Sequence, residues 1–500
     1  MPRIPLLAGS KIAVVNVGDD AVVLAPPPPR EPVADVAAAV RDSLRFPLAG
    51  EPLESLVPRG GRATIVIEPP AQPVPATPVE PRPAALAVAI DELERSGIPS
   101  ERTTILVAGG LARRTAERDV DQFVPPEFTR RFRGSVEVHD AESPDLVPVP
   151  IEGREVRVHP ALLDTDLVLT VSAAETVLHG GPSVLIGACD PATIRAAGAY
   201  SLLETAASQG WHLGVELERA LRTRVHVIGT SLVHTLPRLT GMLRGYPYEE
   251  ESVDRLVRSP LRHLFGALPG PVRRRALKTI PASRGISAAF SGPPSVAHAE
   301  ALLRGTEERA RSLGEPLDAV CLGIPGTTPY LPRERPNPLF AAYLGLGLAL
   351  RLWRDAFPVI DGGTAILVHP FERRFAHPSQ QPYRNFFRAI RAGSARELEL
   401  MHDAERAAAT DAKAIAAYRE GRAHHPLLPF VDWSACGPAL GRLGSVLVAG
   451  CRDHDAARAL GFVPTHGVGA AVQMAQSRAD GPLRIGFLLA PPYFPLRVRA

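Results

Sequence analysis

Lysine is nearly absent from this chain. Of 56 Lys+Arg residues only three are lysines, Lys11, Lys278 and Lys413, so any mechanism that needs an amine has three places to find one. Cysteine is scarce too. Cys189, Cys321, Cys436 and Cys451 are widely spread and no CxxC pair occurs, which reads as free buried thiols in a reducing cytosol. No apolar run is long enough to span a bilayer. The most apolar stretch, Leu339 to Leu352, falls short of the ~20 residues a span needs and carries glycines, so a buried helix is expected there. The start, MPRIPLLAGSKIAVVNVGDD, has no secretory layout, and a cytoplasmic location is expected. A net charge of +3 and the lack of a long basic block give no reason to expect a nucleic-acid or membrane partner.

What is present is ordinary for a globular protein: 500 residues, 45% hydrophobic and 22% charged. At roughly 100–200 residues per domain this allows two to four domains. Short apolar runs alternate with longer amphipathic segments. ATIVIEP (63–69), TTILVAGG (103–110), SVEVHD (135–140), DLVLTVS (166–172), LDAVCLGIPG (317–326), TAILVHP (364–370), SVLVAG (445–450) and LRIGFLLAPP (483–492) predict strands. Residues 84–96, and 116–132 around Pro125-Pro126, predict helices. Fully apolar strands alternating with helices imply parallel sheets covered on both faces. The expected fold is therefore α/β: two domains with mainly parallel sheets flanked by helices and a cleft between them. The Pro-, Gly- and Arg-rich segment 258–291 places the boundary near residue 270, giving domains 1–270 and 271–500.

In open α/β sheets, sites gather at the carboxyl ends of strands. ILVAGGLARRT (105–115) ends a strand in a Gly-Gly turn whose backbone N–H groups can cradle an anion, although a structural turn is the competing reading. His139 and Asp140 follow another strand, but alternation points them apart. AAETVLHGGPSVLIGACDPATI (173–194) is the most site-like stretch. Glu175 and His179 are its candidate catalytic groups, and Gly180 and Gly181 let a backbone approach a ligand closely. HPFERRFAHP (369–378) follows an apolar strand and offers His369 as a proton donor and Arg373 or Arg374 as a fork for a carboxylate or phosphate; a solvated basic loop is the alternative.

Taken in order, FPLAGEPLESLVPRGGRATIVIEPP, ILVAGGLARRT, VEVHDAES, IEGREVRVHPALLDTDLVLTVS, HGGPSVLIGACDPATI, SGPPSVAHAE and VAGCRDHDAARALGFVPTHGVGAAVQMAQ resemble the nickel-dependent lactate racemase family (LarA type) over nearly the whole chain. The resemblance implies a nickel pincer, a pyridinium derivative joined to a lysine with a histidine on the metal, two acid–base histidines acting on a 2-hydroxy acid, and an arginine for the substrate. This chain departs from that pattern at each point. No arginine stands near Ala71 or Gln72. Ala112 replaces the histidine after the Gly-Gly turn, while Arg113 keeps the basic residue beside it as a candidate substrate contact. Ser183 stands where the pincer lysine is expected, and Ala197 or Gly198 where the metal histidine is expected. Near the second acid–base histidine only Glu175 and His179 are available, and no lysine falls near Tyr343–Leu346. The departures leave the metal and cofactor unknown. They leave two readings: an isomerase of the racemase or epimerase type acting on a 2-hydroxy acid or related small anion, or a non-catalytic relative that binds a small anion or a partner protein.

Overall fold

The computed structural model describes residues 3–18, 20–70, 72, 80–114, 131–326, 335–375, 377–390, 395, 397–479 and 481–499. The main strands, in chain order, are β1 (Val22–Leu24), β2 (Ala63–Ile67), β3 (Thr103–Val107), β4 (Ser135–Val138), β5 (Leu167–Ala173), β6 (His226–His234), β7 (Ile286–Gly292), β8 (Leu317–Gly323), β9 (Val359–Val368), β10 (Ser445–Ala449), β11 (Val463–Thr465) and β12 (Ile485–Leu488). They form two six-stranded sheets, ordered β7-β6-β5-β2-β3-β4 and β11-β10-β9-β8-β12-β1. Every pairing in them is parallel except β6 with β7. The fold is α/β, with mainly parallel sheets flanked by helices.

The apolar strands explain this layering. All seven residues of β5 are buried. Along β2, Ile65 and Ile67 face one core while Val66 between them faces another, the two-residue alternation of a strand covered on both sides. Helix α1 (Pro81–Arg95) covers the first face with Leu86, Ile90 and Leu93, and begins at Glu80, whose carboxylate accepts the Arg82 N–H. Helix α2 (Gln209–Arg222) covers the second with Leu213, Leu217 and Leu221, one face at four-residue spacing. The second sheet repeats the scheme: Val320 and Leu322 of β8 face one core, Ala319 and Cys321 another.

Chain order and sheet membership cross. β1, from the start of the chain, lies at the edge of the second sheet beside β12, and β7 lies at the edge of the first. A cut near residue 270 falls among three short helices, Glu250–Arg258, Leu261–Ala267 and Gly270–Lys278, the last two of which lie within the segment 258–291 read as a connection. An antiparallel hairpin, Arg3–Ala8 with Lys11–Asn16, lies against the carboxyl ends of the second sheet: the Gly9 N–H donates to Ile324 O at 2.8 Å and the Gly326 N–H to Gly9 O at 2.8 Å.

Other expectations meet the structure unevenly. The apolar stretch 339–352 is a buried helical run, but it unwinds from α-helix (Pro338–Ala342) into a π turn (Tyr343–Leu348) and a 3₁₀ turn (Ala349–Arg351). The four cysteines are free and buried. The helix expected over 116–132 falls almost entirely on residues outside the described set. Among the described residues no helix is long and apolar enough to cross a membrane.

Candidate functional site

A cavity of about 920 Å³ opens between the two halves of the protein. One wall comes from the first sheet, where β2, β3 and β5 end: Glu68, Ala108 to Ala112, His179 and Ser183. The other wall comes from helical segments of the second half. Phe340, Tyr343 and Arg351 belong to the run that contains the π turn, and Val431, Asp432 and Ala435 to the helix Leu428–Leu440. A π turn shifts the register of a helix and often re-aims side chains at sites. Here it sets Tyr343 and Arg351 on the cavity.

Arg351 is only 2% exposed. Its Nε donates to Tyr200 O at 3.4 Å, its Nη1 to Gly347 O at 3.1 Å and Ala435 O at 3.2 Å, and its Nη2 to Ala199 O. Four of the five guanidinium N–H groups are thus held by carbonyls, and no carboxylate pairs with it among the described residues. Burial pulls its pKa down to about 10. The result is a net positive charge set in the wall of a largely apolar cavity.

The titratable groups around it sit in opposite states. Burial pushes His179 down to about 4, and the charge of Arg351 adds to that shift against the pull of Glu175. Its Nδ1 lies 2.9 Å from Thr176 Oγ1. Burial pushes Glu68 up to about 8; Arg82 opposes this, Glu175 reinforces it, and the Gly180 N–H bonded to the carboxylate opposes it. Asp432 is raised to about 7 by burial, against the Tyr383 hydroxyl that donates to it at 2.6 Å. His424 is lowered to about 3 by burial, with Arg113 and His377 adding to the shift, and its Nδ1 accepts the Arg113 N–H at 2.9 Å. At neutral pH the cavity therefore presents a neutral imidazole at His179 and a protonated carboxyl at Glu68.

The other sequence candidates lie elsewhere. Gly180 and Gly181 do not line the cavity; they make room for a helix. A Cβ on Gly180 would lie 2.2 Å from His298 Cε1 and 2.6 Å from Ala173 O, and one on Gly181 would lie 2.3 Å from His298 Cβ. His298, fully buried on the helix Pro294–Arg309, bonds to Thr176 O at 3.0 Å. Arg113 ties the Gly-Gly turn to the second half instead of facing the cavity.

Glu175 lies behind the cavity wall in a buried ion network. Its Oε1 accepts from Arg284 Nη2 at 2.8 Å and lies 3.3 Å from His234 Nδ1, while its Oε2 accepts the Gln72 N–H at 3.1 Å. The other ring nitrogen of His234 is 3.4 Å from Glu80, which also pairs with Arg82 at 3.0 Å. Burial alone would raise the Glu175 pKa; Arg284, His234 and Arg82 outweigh it and hold the carboxylate below its usual range.

The loop after β9 also does not line the cavity. Arg373 pairs with Asp453 at 2.7 Å, and Arg374 pairs with Glu372 at 2.9 Å with its side chain 63% exposed. His369 is buried, accepts the Phe371 N–H at 3.1 Å and is pushed down to about 3 by burial. The physical reason is the N-terminal hairpin: its Gly9 turn lies beside the His369 ring, so this end of the second sheet is covered by the protein's own chain.

Arg351, Tyr383, His424 and Asp432 are not among the residues expected from the sequence, because they stand on helices and a loop of the second half and not at strand ends. Two of them did leave a signal. Arg351 is the only charge in the most apolar stretch of the chain, and Asp432 the only charge in the helix LPFVDWSACGPAL. Ionisable groups are kept in such surroundings at a cost unless paired or used.

The chemistry of the nickel pincer does not fit these walls. Ser183 lines the cavity with its hydroxyl donated to Val177 O at 2.7 Å, and Ala197 and Gly198 line it as well. Among the described residues the lining holds no lysine, and no group of three or more His, Cys, Asp or Glu side chains is placed to hold a metal ion.

Two mainly parallel sheets flanked by helices, with an open cavity between the halves, make this an α/β protein. Residues 9–210 match the family model described as the lactate racemase N-terminal domain. The solved lactate racemase apoprotein from Thermoanaerobacterium thermosaccharolyticum shares the fold, with a TM-score of 0.63 at 15% identity and 100% of each chain covered. A protein from Thermotoga maritima aligns more loosely, with a TM-score of 0.47 at 13% identity over 93% of this chain and 98% of that one. No curated protein matches in sequence. Residues 9–210 are thus similar to a lactate racemase N-terminal domain, and the chain as a whole shares the fold of the solved apoprotein.

Proposed function

We propose that this lactate-racemase-like protein binds a small organic anion, a 2-hydroxy acid or a close relative, in the cavity between its halves, and acts on it as an isomerase of the racemase or epimerase type. The carrying observation is Arg351, a buried guanidinium without a carboxylate partner among the described residues, set in the cavity wall. Its remaining N–H and its charge suit a carboxylate. Glu68 and His179 supply a proton donor and a proton acceptor in the same cavity, the division of labour that acid–base chemistry requires. Ser183 in place of a lysine favours a protein with no pyridinium pincer attached covalently. Intact mass spectrometry of protein from its native source should give the unmodified chain mass of 53.4 kDa; an adduct of pincer mass would refute this part.

The test of the reading is calorimetric titration with lactate and related 2-hydroxy acids, followed by proton NMR in D₂O. Binding is expected, with loss of the α-proton signal as deuterium enters. Arg351→Met should weaken binding about tenfold or more, since a charge-assisted hydrogen bond is worth about 1.5–3 kcal/mol. Affinity should fall as pH rises through about 8, where the Glu68 carboxyl ionises and repels the anion, and Glu68→Gln should abolish that limb. Binding without deuterium exchange would favour the non-catalytic relative, a reading that the loss of the lysine at Ser183 already supports. No binding of any acid would sink the isomerase and the anion-binding relative alike, leaving a relative that binds a partner protein.

A further inference from the structure

Among the described residues, the cavity lining holds three arginines and two carboxyls. Arg195 is paired with Glu405, and Arg442 with Asp361 at 2.6 Å. Glu68 stands beside Arg82 and accepts the Gly180 N–H. Arg351 and Asp432 are left over, and the helix Leu428–Leu440 brings them to one wall. Arg351 Nη1 rests on the carbonyl of Ala435, three residues beyond Asp432. Residues three apart share a helix face, and a turn rises ~5 Å. Asp432 is 5% exposed. The Tyr383 hydroxyl donates to its Oδ2 at 2.6 Å, and among the described residues neither a cation nor a second donor meets the carboxyl. Aromatic rings continue the wall from there: Phe340 meets Tyr383 edge-on at 6.4 Å and stacks on Tyr343 at 5.7 Å. Keeping an acid in such apolar surroundings is costly without a partner. A carboxyl beside aromatic faces suits an ammonium group, which both attract.

We infer that Asp432 and Tyr383 form a second subsite of the cavity that takes an ammonium group, so that the ligand is a 2-hydroxy acid carrying a distal primary amine. The inference rests on the reading of Arg351 as the carboxylate anchor and adds the other end of the molecule. A cation without an anion and an acid without a cation, set about one turn apart along the same helix, are the complement of a zwitterion. Lactate would engage Arg351 and leave Asp432 unmet, and it would fill only a small part of the 920 Å³. The 2-hydroxy analogue of lysine has a chain long enough to reach from one group to the other, and its methylenes suit the apolar lining of Leu428 and Val431 between them.

The test is calorimetric titration of the full chain with two probes, the 2-hydroxy analogue of lysine and 2-hydroxyhexanoate, which has the same chain without the amine. The wild type should bind the amine-bearing acid tenfold or more tighter. Asp432→Asn, which keeps the shape and the acceptor for Tyr383, should bring the two affinities within about twofold of each other. Arg351→Met should weaken both probes and keep the ratio between them, so the preference remains readable even where one variant folds poorly. Equal affinities in the wild type, or a preference that survives in Asp432→Asn, would overturn the subsite and leave the Arg351 reading standing. A preference lost in Asp432→Asn, with both affinities unmoved in Arg351→Met, would uphold the subsite and remove Arg351 as the anchor. Binding of neither probe would overturn the two together.

Discussion

Replacing Arg284 by alanine is expected to destabilise the protein by about 3–5 kcal/mol, the cost of removing one partner from a buried ion pair. Glu175 and Arg284 are each only 3% exposed at the side chain and meet at 2.8 Å. Without the guanidinium, Glu175 keeps His234 at 3.3 Å and the Gln72 N–H at 3.1 Å, too little to balance a carboxylate removed from water. The pH dependence follows from the direction of the shift. Glu175 is held below its usual pKa when folded, so its contribution is full above the ordinary carboxylate value of about 4.3. It is lost as pH falls through the lower, folded-state value. Urea unfolding of the wild type should therefore show stability dropping in acid, and Arg284→Ala should show a smaller drop from a lower start. A loss under about 1 kcal/mol at pH 7 would mean that the network is not the lock its geometry describes.

Gly180→Ala is expected to cost about 2–5 kcal/mol, combining overpacking of about 1–3 kcal/mol with about 1–2 kcal/mol for an alanine forced into left-handed backbone. The φ of Gly180 is +96°, and the added methyl group would collide with both the His298 ring and the backbone oxygen of Ala173. Adding His298→Ala should recover only part of the loss, because the carbonyl and the φ remain. Full recovery would show that the ring alone sets the requirement, and a Gly180→Ala protein of unchanged Tm would contradict the packing altogether. The outcome bears on how such motifs are read: a Gly-Gly pair after a strand suggests a ligand cradle, but here it accommodates a helix.

The framework of the fold is legible because burial on both faces leaves a plain mark. The runs TILV, LVLTV, TAILV and SVLVA lie inside observed strands. The strands passed over are those whose character comes from context. β6 begins with an exposed histidine and ends with a buried one, and β7 is an antiparallel edge strand within a segment whose composition reads as a connection. β1 has three residues and is defined by a partner at the far end of the chain. The site is legible by halves. His179 and Ser183 lie just beyond a strand end, as the sheet rule requires, and both line the cavity. The opposite wall is helical, and nothing in local sequence tells which face of a buried helix meets a cavity. The arginines of 373–374 illustrate the converse: their composition suits an anion, but the carboxylates that occupy them, Asp453 and Glu372, are visible only in three dimensions.

The pairing of Val22 with Gly486 sets the order in which this protein can be completed. β1 leaves the ribosome more than 450 residues before β12, and β12 lies between β8 and β1 in the sheet. The first sheet, closed by residues up to 292, can assemble while synthesis continues. The second must wait for residues 485–488, holding β1 in reserve while the segments between them are made. During that interval β8 presents an unpaired parallel edge, and such edges invite association with other chains. Nascent chains stalled before residue 485 should be the aggregation-prone species of this protein, and the ones most dependent on chaperones.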